Sequence, residues 1–114
     1  MNVTKKPWGY EELWAFSTKY AGKILFIKKG NRLSLQFHEK KEETIYVLDG
    51  ELTLIYGTSK ESLNEVRLKE GESWHIHPGL IHRFCAPDGD VRLMEVSTTE
   101  LDDVIRLEDD YQRE

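Results

Sequence analysis

A single cysteine among 114 residues, Cys85, has nothing within the chain to pair with. No internal disulfide can form, and a reducing compartment is the expected setting. Long apolar runs are missing too, since no stretch approaches the ~20 such residues that span a bilayer as a helix. The opening MNVTKKPWGY carries basic residues with no apolar segment behind them, unlike a secretory signal. Basic charge is in deficit: the net charge of −5 argues against nucleic acid, while leaving room for an anion at a locally basic pocket. Internal repeats, low-complexity tracts and linkers are lacking as well. What is left, 39% hydrophobic and 32% charged residues, is the composition of one globular domain over residues 1–114, expected to be cytoplasmic.

Turn signals recur every 8–12 residues, with short alternating segments between them. KPWGYEELWAF reads as an N-terminal turn at Pro7–Gly9 followed by an edge strand. Further strands are predicted over residues 23–28, 44–48, 51–56, 64–68, 73–76, 81–85 and 91–97, with a polar loop over 57–63. Asp49–Gly50 is a strong hairpin turn. About eight short strands, and no convincing helix before residue 98, predict an all-β antiparallel sandwich or barrel. The acidic tail from Leu101 onward reads as a strand plus a short helix packed on the body.

The stretch GNRLSLQFHEKKEETIYVLDG, residues 30–50, carries the chemistry. In its first half Arg32, Ser34, Gln36 and His38 alternate with Leu33, Leu35 and Phe37, the period of a strand with one polar face. Gln36 and His38 therefore share a face, and Glu43 follows a short charged turn. His82, in HPGLIHRF, adds a second imidazole. One amide, two imidazoles and one carboxylate suit a divalent metal of borderline hardness, with Zn²⁺ the first choice and Mn²⁺, Fe²⁺, Co²⁺ or Ni²⁺ compatible. Glu42 competes with Glu43, and the strand phase 43, 45, 47 favours Glu43.

These residues resemble a known family. Gly30, five residues, Gln36-x-His38, four residues, Glu43, six residues and Gly50 follow the first cupin motif, with Gln36 where many members have a histidine. Gly71, five residues, His77-Pro78-Gly79, two residues and His82 follow the second. Here His77 replaces a usual proline and Ala86 a usual asparagine. Within the cupins the chain looks like the type II mannose-6-phosphate isomerase module, often the C-terminal part of a bifunctional enzyme with a GDP-mannose pyrophosphorylase. The matching segments are Lys6-Pro7-Trp8-Gly9, Arg32 to Gln36, His82-Arg83, Glu95-Val96 and Asp103 to Asp109. Gln112 departs from the glycine of the terminal signature, and no Gly-rich nucleotidyltransferase loop occurs in these residues.

The resemblance implies a jelly-roll barrel (a double-stranded β-helix) with Gln36, His38, Glu43 and His82 as metal ligands. It implies a sugar phosphate as substrate, isomerised between aldose and ketose, and a homodimer exchanging edge strands, with the Trp8–Trp14 segment as a contact. It also matches Lys41, Glu95 and Arg106 to catalytic positions: Glu95 as the base, Lys41 as an assisting donor, and Arg106 as the partner of an enediolate or a phosphate. The alternation around Met94–Glu95–Val96 does not choose which face Glu95 takes. Lys23 and Arg32 are either phosphate contacts or surface charges. His75 and His77, two apart in WHIHP, are expected at the surface, and Cys85 as a small buried residue. Two other readings use the same fold: a sugar- or metabolite-binding cupin without turnover, and a metal-dependent oxidoreductase of the dioxygenase kind.

Overall fold

The structure, a computed structural model, describes residues 2–111. Twelve strands are found among them: β1 (Asn2–Lys6), β2 (Gly9–Phe16), β3 (Ala21–Ile27), β4 (Asn31–Arg32), β5 (Leu35–Phe37), β6 (Glu43–Asp49), β7 (Leu52–Ser59), β8 (Ser62–Leu68), β9 (Ser73–Ile76), β10 (Ile81–Ala86), β11 (Val91–Ser97) and β12 (Ile105–Glu108). They form two sheets in the orders β1-β2-β3-β11-β6-β9 and β12-β5-β10-β7-β8, with β4 paired to β10. Every pairing is antiparallel. This is the all-β antiparallel sandwich that the turn spacing predicts, in the jelly-roll form that the resemblance implies.

Alternation places the core between the two sheets. Ile45 and Val47 of β6, Val91 and Leu93 of β11, and Leu25 and Ile27 of β3 face Leu52 and Leu54 of β7 and Phe84 and Ala86 of β10; all are buried. The inner faces of β6 and β11 change character along their length. Apolar at one end, they end in Glu43, Glu95 and Ser97 at the other, also buried. The sandwich is thus dry at one end and polar at the other, and the polar end holds the site.

Asp49–Gly50 turns the chain where expected, with Gly50 at φ 83° and a Cβ there colliding with the Asp90 carbonyl. It forms no hairpin, however: β6 pairs with β11 and β9 and β7 with β10 and β8, so the turn carries the chain from one sheet to the other. Gly9 brings β2 so close to β3 that any Cβ would overlap the Phe26 carbonyl oxygen.

Three further expectations need correction. The N-terminal segment is a hairpin, in which β1 is the edge and β2 lies inside the sheet. Trp8, in its turn, is buried in the core and leaves Trp14 as the exposed member of the pair. Residues 57–63 are not a loop: β7 and β8 pair out to Ser59 and Ser62. The outer part of β8 is exposed on both faces, so backbone pairing alone defines it and no apolar period betrays it. The tail supplies a strand, β12, and no helix among the described residues. Its backbone pairs with β5, whose outer edge would otherwise be unpaired. Gln112 lies outside the described residues. No helix among them is long and apolar enough to cross a membrane.

Candidate metal centre

Gln36 on β5 is the register partner of His82 on β10, and Glu43 opens β6 on the facing sheet. His38 ends the extended run after β5. Residues that the sequence places 39 to 46 positions from His82 therefore meet it at the polar end of the sandwich. One donor atom each from His38, Glu43 and His82 lie within 4.8 Å of one another, and all three side chains are buried. His38 Nε2 stands 2.8 Å from Glu43 Oε1, and His82 Nε2 3.8 Å from the same oxygen.

Both imidazoles are held by their other nitrogen. His38 Nδ1 is 2.6 Å from the Asp103 carbonyl oxygen and His82 Nδ1 is 3.0 Å from that of Leu80. A carbonyl only accepts, so each Nδ1 carries the proton and donates it. Burial brings His82 down to about 4, against the hydrogen bond to Leu80, so its ring is neutral at pH 7 and Nε2 is a lone pair. Glu43 Oε2 is fully buried and receives no hydrogen bond from an amide, hydroxyl or ammonium of the described residues. Nε2 of both imidazoles and a buried carboxylate with one unsatisfied oxygen, converging on one point, form the donor arrangement of a divalent cation, with the backbone carbonyls orienting the rings from behind. Gln36 lines the same cavity, and its amide nitrogen donates to Ser34 Oγ at 2.9 Å, which leaves the carbonyl oxygen as its available donor atom. The residues present fit the ion.

Next to this group lies a second buried set. Lys41 Nζ is 3.2 Å from Glu95 Oε2 and 3.9 Å from Glu43 Oε1. Burial alone would lower the Lys41 pKa, but the charges of Glu95 and Glu43 outweigh it and raise it, so the ammonium stays charged. The two carboxyls diverge. Burial pushes Glu95 up to about 7, helped by the charge of Glu43 and a hydrogen bond to it, and opposed by Lys41 and Lys23. Burial also works against ionisation of Glu43, yet hydrogen bonds from His38 and Glu95 and the charge of Lys41 bring it down to about 2. One carboxyl stays a permanent anion while its neighbour exchanges a proton near neutrality.

The face that the alternation leaves open for Glu95 is inward. β11 pairs with β3 on one side and β6 on the other, and Leu93, Glu95 and Ser97 point to the lumen. Lys41, equally open to a solvated role, is buried because Glu95 draws it in. Arg106 is exposed, on β12 opposite Gln36, and lines the cavity from outside the buried group. Arg32 is not placed at the cavity. Its guanidinium grips Asp110, Nε to Oδ2 at 2.6 Å and Nη2 to Oδ1 at 2.9 Å, so it offers no free charge to a substrate there. His75 and Glu42 pair at 2.6 Å on the surface, which removes Glu42 from the site, and His77 is exposed at its turn. Cys85 is buried, and burial pushes its thiol up to about 11.

Two residues that lie in the matching segments, but to which the sequence assigns no role, shape the site. Arg83 is buried on the other face of β10, donating to the Leu33 carbonyl at 2.8 Å and reaching Glu108 and Asp110 of the tail. Asp103 accepts from the backbone amides of Glu39, Lys40 and Lys41 at 3.1, 2.7 and 2.9 Å. Those amides, Lys40 first, hold its carboxyl below the usual range. Asp103 thereby fixes the turn between His38 and Glu43, while its own carbonyl fixes the His38 ring. Replacing Asp103 by alanine keeps that carbonyl but frees the turn. Metal affinity should fall roughly 10- to 100-fold, as for other groups behind a ligand, with the melting curve little changed. Competition against a chromogenic chelator measures it, and Asp103→Asn, which keeps one acceptor oxygen, should recover part of the loss.

The buried group forms the floor of a cavity of about 480 Å³, lined also by Lys6, Glu11, Lys23 and Arg106. Comparison with known proteins bears on what occupies it. A family model described as Cupin domain matches residues 23–97. The xanthan biosynthesis protein XanB of Xanthomonas campestris is 30% identical over 112 residues, covering 95% of this chain and 23% of that protein. The mannose-1-phosphate guanylyltransferase ManC of Salmonella typhimurium is 34% identical over 114 residues, covering 95% of this chain and 22% of its own length. The chain thus spans less than a quarter of these curated relatives. Among solved structures, KdgF from Halomonas superposes with a TM-score of 0.77 at 15% identity, covering 90% of this chain and 92% of that one. CapF, a capsular polysaccharide assembling protein of Staphylococcus aureus, reaches 0.83 at 16% identity over 94% of this chain and 34% of its own.

Proposed function

We propose that this chain, which belongs to the cupin family, is a metal-dependent aldose–ketose isomerase of a phosphorylated hexose, most specifically of mannose 6-phosphate to fructose 6-phosphate. The observation that carries the reading is the buried pair of carboxyls with divergent protonation, Glu43 and Glu95, bridged by Lys41 beside the imidazoles of His38 and His82. Isomerisation needs a group that removes a proton from C2 of the open-chain aldose and returns it to C1. Relatives whose names place them in xanthan, alginate and mannose-1-phosphate chemistry support a sugar substrate.

Gln36, His38, Glu43 and His82 would hold the ion, Zn²⁺ by donor type. A divalent cation there supplies Lewis-acid polarisation of the carbonyl and hydroxyl oxygens. Glu95, with a pKa near 7, takes the C2 proton as carboxylate and gives it to C1 as carboxylic acid. Lys41, donating to Glu95 Oε2, keeps that oxygen oriented and balances the negative charge that moves onto the substrate. Arg106 meets the substrate from the outer part of the cavity. The reading keeps the homodimer, with the open edge of β1 and exposed Trp14 and Phe16 as its contact surface.

The test is a coupled assay for fructose 6-phosphate formed from mannose 6-phosphate by chelator-stripped protein. Turnover should appear on adding back Zn²⁺, Mn²⁺, Co²⁺ or Ni²⁺ and disappear on chelation. Metal binding without turnover would overturn the isomerase and favour a sugar-binding role, and oxygen consumption with Fe²⁺ would favour an oxidoreductase.

A further inference from the structure

The inner face of the first sheet carries a row of polar groups leading away from the metal centre. Glu95 on β11 is in register with Lys23 on β3, and Glu11 on β2 is paired with Leu25 of β3 and with Thr4 of β1. The register partner of Lys23 on β2 is Leu13, so Glu11 lies one strand over and two residues along from Lys23 on the same face. The row ends at the sheet edge, where Lys6, the last residue of β1, also lines the cavity.

Two ammonium groups there share one carboxylate oxygen. Lys23 Nζ lies 3.3 Å from Glu11 Oε1, and Lys6 Nζ lies 3.9 Å from the same atom, outside hydrogen-bond range. Among the described residues Glu11 is the one carboxylate within ion-pair distance of either ammonium, while Glu95, in register with Lys23, is itself held by Lys41. The side chains are only 14% and 27% exposed, so these are not lysines extended into solvent. Each ammonium has three donors, and Glu11 employs few of them. Thr4 and Asn2 line the cavity beside them and can add side-chain donors. The other charges lining the outer part of the cavity are Asp102 and Arg106.

We propose that Lys6 and Lys23, held on Glu11, are the anion-binding end of the cavity and take the phosphate group of a sugar phosphate whose reacting carbons lie at Glu95. This deepens the isomerase reading and rests on it for the orientation of the sugar. Clustered ammonium groups suit the several acceptor oxygens of a phosphate ester. Glu11 is a positioning residue: it sets the two lysines at one height above the cavity floor and keeps them from repelling each other apart.

The experiment is calorimetric titration of the metal-loaded full chain with mannose 6-phosphate, mannose and inorganic phosphate. Wild type is compared with Lys23→Met, Lys6→Met and Lys23→Arg, and melting curves confirm that each is folded. Mannose 6-phosphate should bind roughly 10- to 100-fold more weakly to Lys23→Met, as for loss of a hydrogen bond to a charged group. Lys6→Met should weaken binding in the same direction, Lys23→Arg should recover most of the affinity, and mannose should be unaffected throughout. Because the readout is binding, a chain that binds the phosphate through these lysines but does not turn it over would uphold this proposal and overturn the isomerase. Equal binding of mannose 6-phosphate by wild type and both methionine variants would overturn the proposal. So would failure of wild type to favour mannose 6-phosphate over mannose, or tighter binding of mannuronate, which carries a carboxylate instead.

Discussion

Replacing His82 by alanine should abolish metal binding and turnover together. His82 contributes one of two imidazoles, fixed through Nδ1 on the Leu80 carbonyl with Nε2 facing Glu43. Its removal leaves Glu43 with His38 and the amide of Gln36, too few nitrogen donors to hold a borderline ion tightly. The neighbouring groups are engaged: the Glu95 carboxyl is held by Lys41. Glu42 is spent on His75 at the surface and Cys85 points away with its thiol protonated. Metal content by mass spectrometry should fall from about one ion per chain to near zero, and the isomerase rate to background. His38→Ala should do the same, and the double variant should lose no more than either single one, because the ligands act as a unit. A His82→Ala protein that keeps a full complement of tightly bound metal would remove this centre from consideration.

The second expected effect separates metal from proton transfer. Glu95→Gln preserves the shape of the side chain and an oxygen for Lys41, but no longer exchanges a proton. Metal binding should persist, since Glu95 touches the ion's ligands only through Glu43. The isomerase kcat should fall by roughly 10²- to 10⁴-fold, the usual contribution of a positioned general base. KM should change little. Incorporation of solvent deuterium into substrate C2 during partial turnover should vanish in parallel, which a merely structural loss of rate would not require. If the variant retains the exchange and the rate, the base is elsewhere in the cavity, and Glu95 is left as the partner that keeps Lys41 buried.

How far the sequence reaches can be seen by following particular residues. Asp49–Gly50 announces its turn because a position at positive φ nearly demands glycine, a local steric fact, whereas the crossing to the other sheet in place of the expected hairpin has no local signal. Glu43, Ile45 and Val47 share the buried face because a strand alternates. Glu95 is different: its neighbours Met94 and Val96 are also apolar, so the period is blurred, and only the position of β11 between β3 and β6 turns the carboxyl inward. Lys41 reads as one charge in EKKEE until that carboxyl, 54 residues away, is seen to hold it.

The sequence by itself therefore determined the all-β sandwich, its main turns, and the set of donors on its polar strands, since each depends on alternation, turn sterics or residue chemistry over a few neighbouring positions. Tertiary structure alone decided that Arg32 belongs to Asp110 and not to the cavity, that Asp103 orients His38, and that Lys6 and Lys23 meet on Glu11. These are pairings across strands or between the body and the tail. Their partners are chosen by sheet register and by the route of the chain, and no local period records either.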